Sequence, residues 1–399
     1  MNALNDIVVL DLTRFEAGPR CTYVLEQLGA YIIKIEKSWS GDDERLFPPM
    51  YKKESLAFPT FNLNKKSLGM DLRNPKAMKI IFDLLPKVDV VIQNFRAGTI
   101  EKMGLDWETI HKINPRIIMA NNSGFGQTGP YRDRTSVDAV AQCETGLSGS
   151  FTARKGKPVQ CGGYPIDHQT AIAFASSIIA AILQRDRTGE GQYLEVDMFS
   201  IGLSMLSPNL ARYKSTGITK PEPHRCPNNF YKDKDGKYVE ICCPDEAWEG
   251  FKKVVGSSEL EDECFADRTG RAAAAAKLDD IIGAWTAQYA REEIREKLET
   301  VGVGVGILKA YDELLKDAYL KEADYFRQVN VPFIGEVPYH CMPFTLSGGT
   351  MEYNSAPMIG ENNFEILHKF LGYSEERVKA LTEEGVLYFG EHACLPPRK

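Results

Sequence analysis

Two apolar runs separated by a helical segment begin the chain, and they limit its possible folds more than any other feature. Ile7 to Leu12 is almost continuously apolar, Cys21 to Leu28 has the pattern of a helix, and Tyr31 to Ile35 is a second apolar run followed by Glu36. A strand, a helix and a second strand in this order predict a parallel β-α-β unit. An acid after its second strand is typical of a dinucleotide-binding half.

The alternation continues to residue 120. It predicts a helix from about Pro75 to Leu85, a strand over Val88 to Ile92 and another over Ile117 to Ala120. Alternating elements of this kind build a mostly parallel sheet with helices on both faces, so the fold class is α/β. The first turn offers only Gly18 where a pyrophosphate-binding loop needs three spaced glycines, so a nicotinamide cofactor is not expected.

Length and proline content predict more than one domain. At 399 residues the chain is too long for one ordinary core. Prolines and glycines cluster from Gly217 to Pro227, as in a linker. We expect a large domain over 1–215, a small α+β domain over 216–325, and a return to the large domain over 326–399.

Composition excludes several classes of function. The net charge of −7, without a basic block, argues against nucleic acid as a partner. No apolar run looks long enough to span a bilayer, and the first residues lack the basic region of a signal peptide, so we expect no membrane and a cytoplasmic protein. The nine cysteines include no C-x-x-C pair and the six histidines lack ligand spacing, so no metal is expected.

Asp167 is the carboxylate that the sequence places best for catalysis. Glycines and a proline lead to Asp167, and the helical segment that follows, Thr170 to Leu183, is rich in small and apolar residues, which predicts that most of its surface is buried. Free backbone N–H groups and the helix dipole at such a position favour an ionised acid. The alternative is that Asp167 is only a helix cap.

Polar side chains recur in the loops that follow the predicted strands, where such folds bind ligands. They could hold a large phosphorylated ligand, or they could form a solvated rim. The residues concerned are Asp42, Arg45, Asn64, Lys65, Ser67, Asp71, Arg73, Asn94 and Arg96.

Short segments in a fixed order along nearly the whole chain resemble the class III coenzyme A transferases, which include formyl-CoA:oxalate, carnitine, bile-acid and aryl-lactate CoA-transferases. Each segment is weak alone, but their order and spacing are specific. They are Ala17-Gly18-Pro19, Gly41-Asp42, Asn64-Lys65-Lys66-Ser67, Asn94-Phe95, Met103-Gly104, Gly124-Phe125-Gly126-Gln127, Gly360-Glu361-Asn362 and Leu371-Gly372-Tyr373-Ser374.

This resemblance implies a Rossmann-like large domain and an interlocked homodimer. It assigns Asp167 as the catalytic residue and Asp138 as an acid near the active centre. It implies acyl-CoA and a small carboxylic acid as substrates, with no tightly bound cofactor. By position, the residues that contact CoA would be Phe15, Glu16, Lys37, Met70, Arg73, Asn94, Lys102 and Met103.

The expected chemistry follows from what the exchange of acids on a thioester requires. A carboxylate nucleophile forms an anhydride with the acyl group, and each later step is then reversible. No general base is needed because carboxylates are ordinarily ionised at neutral pH. Backbone N–H groups at the helix start or in a glycine loop would stabilise the oxyanions.

Three questions stay open in the sequence. Asp167-His168-Gln169 after a glycine-rich lead resembles the aryl-lactate and 2-hydroxy acid branch, whereas Gly124-Phe125-Gly126-Gln127 resembles the carnitine branch as well, so the resemblance favours a 2-hydroxy acid or a related acid and leaves the acid open. The segment His224 to Asn229 replaces a glycine run of the formyl transferases, which argues against oxalate and formate. A 2-methylacyl-CoA racemase is an alternative activity, although Val137 stands where that branch has a histidine. A noncatalytic CoA-binding role is the other alternative.

Overall fold

A computed structural model describes residues 1–150, 158–219 and 226–395 of the chain. The chain divides into two compact units. One consists of Met1–Gly217 and Asp324–Lys399, and the other of Ile218–Ala323.

The strands differ in length from two to six residues. In chain order they are β1 (Val8–Asp11), β2 (Tyr31–Glu36), β3 (Met50–Tyr51), β4 (Glu54–Ser55), β5 (Lys66–Gly69), β6 (Val90–Gln93), β7 (Ile118–Ser123), β8 (Gln192–Asp197), β9 (Asn228–Lys232), β10 (Tyr238–Cys242), β11 (Gly304–Ile307), β12 (Phe326–Val331) and β13 (Gly335–His340).

The helices include one of 24 residues, and most of the others are much shorter. They are α1 (Ala17–Gln27), α2 (Ala57–Asn62), α3 (Pro75–Leu84), α4 (Thr99–Lys102), α5 (Trp107–Ile113), α6 (Asp138–Glu144), α7 (Leu147–Ser150), α8 (Pro165–Thr188), α9 (Met198–Met205), α10 (Ser207–Thr216), α11 (Trp248–Val255), α12 (Arg268–Ala273), α13 (Ala275–Thr286), α14 (Arg291–Glu299), α15 (Tyr311–Lys316), α16 (Ala318–Glu322), α17 (Asn363–Leu371) and α18 (Glu375–Glu383).

A parallel sheet organises the larger unit. Within the described residues it has six strands in the order β5-β2-β1-β6-β7-β8, and every neighbouring pair is parallel. The predicted α/β class with a mostly parallel sheet is confirmed. The strand order reverses at β1, since the chain builds outwards to β5 on one side and to β8 on the other.

Both faces of this sheet are buried, because alternate side chains of each strand point to opposite faces. Leu10 and Ile33 belong to one core cluster, which α3, α5, α17 and α18 complete. Val9 and Ile32 belong to the other, together with Leu25 of α1 and residues of α8. Helices on both faces explain why these strands read as almost unbroken apolar runs.

Helix α8 is less buried than its composition suggests. Ala171, Phe174 and Ile178 pack into the core with α1, whereas Ile172 is 41% and Leu183 is 54% exposed. The expectation that most of its surface is buried is therefore wrong for this chain by itself.

The length of α8 also corrects the expectation about apolar runs. The helix has 24 residues and an 18-residue window of mean hydropathy 1.4, so by length and composition alone it is long and apolar enough to cross a membrane. In this window 44% of the residues are buried inside the structure. A core helix of a parallel sheet passes the same test.

The smaller unit has its own core. An antiparallel sheet of order β11-β10-β9 packs against α11, α13 and α14 through Val239, Phe251 and Ile282. In the larger unit, β12 and β13 form a separate antiparallel pair.

Some elements begin or end where the sequence did not predict. Helix α1 begins at Ala17 rather than Cys21, because Pro19 fits within a first turn whose N–H groups need no helical partner. Lys66 and Ser67 belong to strand β5, not to a loop. The helical stretch after β8 is divided into α9 and α10, and Pro208 stands in the first turn of α10.

Candidate active site

The carboxyl ends of β1, β2 and β6 lie side by side at one edge of the parallel sheet. Asp11, Glu36 and Gln93 are the last residues of these strands. The strand order reverses at β1, and in open α/β sheets this is where a crevice for a ligand forms. The loops after these strands are therefore the place to look for a site.

Most of the charged side chains in these loops bind each other. Lys34 Nζ lies 2.8 Å from Asp42 Oδ2, and both side chains are fully buried. Lys65 Nζ lies 3.4 Å from Asp11 Oδ2 and donates at 2.8 Å to the carbonyl of Pro19. We call the residues Asp11, Lys34, Glu36, Asp42, Arg45, Lys65 and Ser67 the buried ion network.

Glu36 completes this network. Its carboxylate accepts from Arg45 at 2.7 and 2.8 Å and from the hydroxyl of Ser67 at 2.8 Å. Burial by itself would raise the pKa of Glu36, but the charge and hydrogen bonds of Arg45, the charge of Lys34 and the N–H group of Asp42 together outweigh it and hold the pKa at about 2. The sequence predicted either a phosphate site or a solvated rim in these loops. Both predictions are wrong for Asp42, Arg45, Lys65 and Ser67, because these residues bind one another.

The buried ion network fixes the loop between β1 and α1. Asp42 Oδ1 accepts hydrogen bonds from the backbone N–H groups of Phe15 at 2.9 Å and Glu44 at 3.0 Å. Asn94 donates to the carbonyl of Arg14 at 2.7 Å and accepts from its N–H at 3.0 Å. Phe15 consequently adopts a left-handed backbone conformation, with φ 64°, and presents a ring that is 40% exposed.

Asp167 is the third residue of α8, so it is not the helix cap. Tyr164 occupies the cap position with a left-handed backbone, and Pro165 begins the helix. Asp138, the first residue of α6, supplies the capping group from another element. Its Oδ2 accepts from the N–H of Ile166 at 2.8 Å and from that of Asp167 at 3.1 Å.

Gln142 connects Asp138 to the segment that leads to α8. Its amide nitrogen donates to Asp138 Oδ1 and, at 2.9 Å, to the carbonyl of Cys161. Its amide oxygen accepts from the N–H of Cys161 at 2.9 Å. Asp138 is 2% exposed and Gln142 is fully buried, so this pair holds the start of α8 rigidly.

The carboxyl group of Asp167 is half-buried among other acids. Burial, followed by the charges of Glu16, Asp138 and Glu44, raises the pKa of Asp167 to about 8. In the described part of the chain, its side chain accepts no hydrogen bond that would favour the ionised form. Burial, followed by the three neighbouring carboxylates, therefore opposes the ionisation that the helix dipole by itself would favour.

Glu44 belongs to the same acidic group. Burial and the charges of Asp42 and Glu16 raise its pKa to about 7. Glu16 directly precedes α1, is 7% exposed, and its Oε1 lies 2.7 Å from Nε2 of His168. Arg20 Nη1 approaches the same ring nitrogen at 3.1 Å.

Backbone donors at the start of α8 are largely occupied. The N–H groups of Ile166 and Asp167 bind Asp138, and that of His168 binds the carbonyl of Tyr164 at 3.0 Å. The expectation that the helix start stabilises an oxyanion is therefore wrong for these three groups. Gly162 and Gly163 precede them, are exposed, and donate no backbone hydrogen bond within the described residues.

The structure brings six of the predicted site residues into one connected region. Phe15, Glu16, Asn94, Asp138 and Asp167 are linked by the contacts above. Lys37 joins them through Asp43, whose carboxylate lies 2.6 Å from Lys37 Nζ and 2.8 Å from Arg14 Nη1.

The other four predicted residues are not joined to this region by the side-chain contacts described above. Arg73 is 91% exposed and pairs with Asp71 at 2.8 Å, and Lys102 is exposed at the end of α4. Met103 packs against the core, and the side chain of Met70 is 0% exposed. A side-chain contact between Met70 and CoA is not supported by this position.

Sequence reasoning missed Arg20, Glu44, His168 and Gln142 as members of the site. Gln142 lies four residues after Asp138, a spacing that puts both side chains on one face of a helix. Their contact could therefore have been predicted from the sequence. Arg20, Glu44 and His168 come together only in the folded chain.

Metal ligation has no support in the described residues. Within 1–150, 158–219 and 226–395, no group of three or more His, Cys, Asp or Glu side chains could hold a metal ion. All nine cysteines are free thiols.

Comparison with known proteins finds relatives along almost the whole chain. The model of CoA-transferase family III matches residues 4–363. Succinyl-CoA--D-citramalate CoA-transferase of Chloroflexus aurantiacus is 32% identical over 96% of this chain and 98% of its own length. Formyl-CoA:oxalate CoA-transferase of Rhodopseudomonas palustris is 30% identical over 100% of this chain and 98% of its own.

A solved structure is similar over almost the same length. The crystal structure of a CAIB/BAIF family protein from Brucella suis has a TM-score of 0.82 at 28% identity, and the match covers 93% of this chain and 100% of that one. Fold and sequence thus confirm the resemblance found in the sequence segments. The chain belongs to CoA-transferase family III and is a CoA-transferase.

Proposed function

We propose that this chain transfers coenzyme A reversibly from an acyl-CoA thioester to a free carboxylic acid, with Asp167 as the covalent nucleophile. The observation that carries the proposal is the position of Asp167. Its carboxyl group lies on the first turn of α8, half-buried, without a hydrogen bond in the described part of the chain, and beside a rigid Asp138.

The proposed reaction has four steps. The Asp167 carboxylate attacks the donor thioester, whose C–S bond breaks to give an acyl-aspartyl anhydride and the CoA thiolate. The thiolate then attacks the aspartyl carbonyl, and the donor acid leaves as a carboxylate. The acceptor carboxylate attacks the resulting aspartyl-CoA thioester and releases the thiolate, which finally attacks the acceptor acyl carbonyl and regenerates Asp167.

The raised pKa of Asp167 suits this role in two ways. A more basic carboxylate is a stronger nucleophile once it has lost its proton. Acylation also removes a negative charge from the vicinity of Glu16, Asp138 and Glu44, so the covalent intermediate relieves repulsion that the ionised carboxylate suffers. Gly162 and Gly163 remain as candidate oxyanion donors in front of the helix.

We propose that CoA lies along the loops that follow β1, β2, β5 and β6. Lys37, Arg73 and Lys102 would meet its phosphates, and Phe15 and Met103 would contact its apolar parts. Asn94 would act through the loop of Arg14, which it already binds twice. Glu16 and Asp138 would stand beside the reacting thioester. No cofactor beyond this substrate is proposed.

The acid is proposed to be a 2-hydroxy acid or a related acid. D-citramalate, named in one relative, is a 2-hydroxy dicarboxylic acid, and this supports the choice. The argument against oxalate rests on His224 to Asn229, of which residues 224 and 225 lie outside the described residues.

We further propose a Rossmann-like sheet, as the strand order supports, and an interlocked homodimer. Ile172 and Leu183 are large exposed apolar side chains on α8, and a second copy would cover them. We propose a cytoplasmic location and no partner that is a nucleic acid or a membrane.

Replacement of Asp167 tests the proposal. Asp167→Ala should lower transfer by several orders of magnitude, because nothing else in the site can form the anhydride. Transfer is measured by mass spectrometry of the new acyl-CoA, with folding checked by circular dichroism. Hydroxylamine should trap a modified Asp167 in the wild type during turnover. A variant that keeps a tenth of the wild-type rate would exclude the covalent role.

The sequence left a racemase and a noncatalytic CoA-binding protein as alternatives, and the match to CoA-transferases over the whole chain argues against both. A racemase needs two positioned bases, and Val137, where that branch has a histidine, is 58% exposed and cannot exchange a proton. A noncatalytic protein would bind acyl-CoA and show no exchange of acids.

A further inference from the structure

A polar cavity lies at the edge of the parallel sheet where β1 and β2 begin. It has a volume of about 360 Å³, and its walls come from the residues before β1, the end of α1 and the segment 350–352. The loops of the candidate active site follow the carboxyl ends of the same two strands, at the other edge. None of the residues proposed for CoA transfer lines this cavity.

Two side-chain amides hold the carboxylate of Glu26 beside the backbone of Glu352 at the wall of the cavity. Gln27 Nε2 donates to Glu26 Oε2 at 2.7 Å and to the carbonyl of Glu352 at 2.8 Å. Asn64 Nδ2 donates to the same two oxygens at 3.0 and 2.6 Å, and its Oδ1 accepts from the N–H group of Asn354 at 2.6 Å. The orientation of both amides is therefore fixed, because each nitrogen donates to two oxygens.

The amide oxygen of Gln27 is left without a donor. Gln27 is 2% exposed and lines the cavity, and its Oε1 has no hydrogen-bond partner among the described residues. Turning the amide round would not help, because its nitrogen would then lose both acceptors. Buried polar atoms normally have a partner, so this oxygen indicates that the cavity holds a group that donates a hydrogen bond.

The cavity also carries two carboxylates that no cation of the described chain neutralises. Glu26 and Glu352 both line it, and neither forms an ion pair within the described residues, not even with the α-amino group of Met1 at the rim. Burial, together with the charge of Glu352, raises the pKa of Glu26 to about 7 although two amides donate to it. Lys65 also acts on Glu26, but its ammonium group is bound in the buried ion network. The donor that Gln27 lacks should therefore be a cation.

A primary ammonium group matches these acceptors better than a metal ion does. It has three N–H donors, and the cavity offers three acceptors, namely Gln27 Oε1, Glu26 Oε1 and the carboxylate of Glu352. Calcium and magnesium need about six or more oxygen ligands, and no group of three or more His, Cys, Asp or Glu side chains in the described ranges could hold a metal. The volume of about 360 Å³ also leaves room for an aliphatic chain.

We propose that this cavity binds a primary aliphatic amine, with its ammonium group between Gln27 Oε1, Glu26 and Glu352. The bound amine supplies a donor to a buried amide and a positive charge to a buried carboxylate, so it stabilises the folded chain. The site shares no residue with the proposed chemistry at Asp167 and needs no acyl-CoA.

The test uses the full chain without CoA and 1,4-diaminobutane as the probe, at constant ionic strength and about pH 8, which is above the pKa of Glu26. Calorimetric titration should show one bound diamine per chain, and the melting temperature should rise and then saturate as diamine is added. 1,4-Butanediol has the same carbon chain without charge and should give no response. Calcium chloride is the probe for a metal, and a larger response to calcium than to the diamine would overturn the proposal.

Two variants and a matched control locate the bound amine. Glu26→Gln keeps the shape of the side chain without its charge and should weaken binding by at least about tenfold, because a buried charge-assisted hydrogen bond is lost. Glu352 is exposed, so Glu352→Gln should fold normally and weaken binding by about threefold. Glu383→Gln removes a carboxylate that is 69% exposed on α18 and should leave binding unchanged.

Two other results would overturn the proposal. A wild type without a saturable response to the diamine would mean that the cavity holds water alone. Equal affinity in the wild type, Glu26→Gln and Glu352→Gln would mean that the diamine binds elsewhere. If Glu26→Gln does not fold, the comparison of Glu352→Gln with Glu383→Gln decides.

Discussion

Replacing Asp167 by asparagine should stabilise the ligand-free protein while removing its activity. The folded chain raises the pKa of this carboxyl from 3.8 to about 8, so the folded state binds its proton more tightly than the unfolded state does. The wild type consequently loses stability as the pH rises from about 4 to about 8. Asparagine has nearly the same shape and carries no charge, so the variant should avoid this loss.

The size of the effect follows from the shift. Four pKa units correspond to at most about 6 kcal/mol, and because Asp167 is partly exposed, solvent screening reduces this to about 2 kcal/mol. In a chain of 399 residues such a gain raises the melting temperature by about 2–4 °C, because the entropy of unfolding grows with the number of residues. The gain should be largest at pH 9 and clearly smaller at pH 5, because the wild type loses stability progressively as the pH rises above the unfolded pKa of 3.8.

Thermal unfolding of wild type and Asp167→Asn across pH 5 to 9, without CoA, is the assay. Asp106→Asn is the matched control, because Asp106 caps α5 and its hydrogen bonds lower its pKa. Its folded form is stabilised by ionisation, so the control should show no gain at high pH. If Asp167→Asn differed from the wild type equally at pH 5 and pH 9, the repulsion between carboxylates would not exist and the account of this site would be refuted.

Two further results are expected. Arg73→Gln and Lys102→Gln should each raise KM for acyl-CoA several-fold and leave KM for the free acid nearly unchanged, because contacts with phosphates far from the carbonyl stabilise the ground state and the transition state equally. Steady-state kinetics with both substrates varied measures the two constants. A parallel rise of both constants would put these residues in the acid pocket. With a 2-methylacyl-CoA in deuterated water, no deuterium should enter C2, because Val137 supplies no second base. Mass spectrometry measures the uptake of deuterium. Rapid exchange at C2 without acid transfer would favour a racemase.

The sheet could be predicted because its strands are buried on both faces. Val9 and Leu10 point to opposite helical layers, so the run around them is apolar without interruption and identifies a parallel strand. Strand β5 escaped prediction because Lys66 and Ser67 begin it, and the hydroxyl of Ser67 serves Glu36. The hydrogen bond between Ser67 and Glu36 joins residues that are distant in sequence, so the residues around β5 do not predict it.

The position of Asp167 at the start of α8 could be predicted from the sequence, but its electrostatic surroundings could not. Glycines and a proline precede Asp167 and an apolar helix follows it, all within one stretch of sequence, and this pattern predicts its position. Glu16 and Glu44 come from loops after two other strands, and their separation along the chain hides the repulsion that raises its pKa. A dipole argument from a single helix therefore gave the wrong direction for the pKa shift of Asp167.

The buried ion network affects what can be inferred from the residues that this chain shares with its family. Its members cannot be replaced one at a time: Lys34→Met, for example, would leave Asp42 buried without its cation at a cost of about 3–5 kcal/mol. A replacement of one member therefore requires a matching change of its partner. Asp42, Lys65 and Ser67 are also among the residues by which the chain resembles its family. This part of the resemblance therefore reports how the scaffold folds, and it does not distinguish one acid substrate from another.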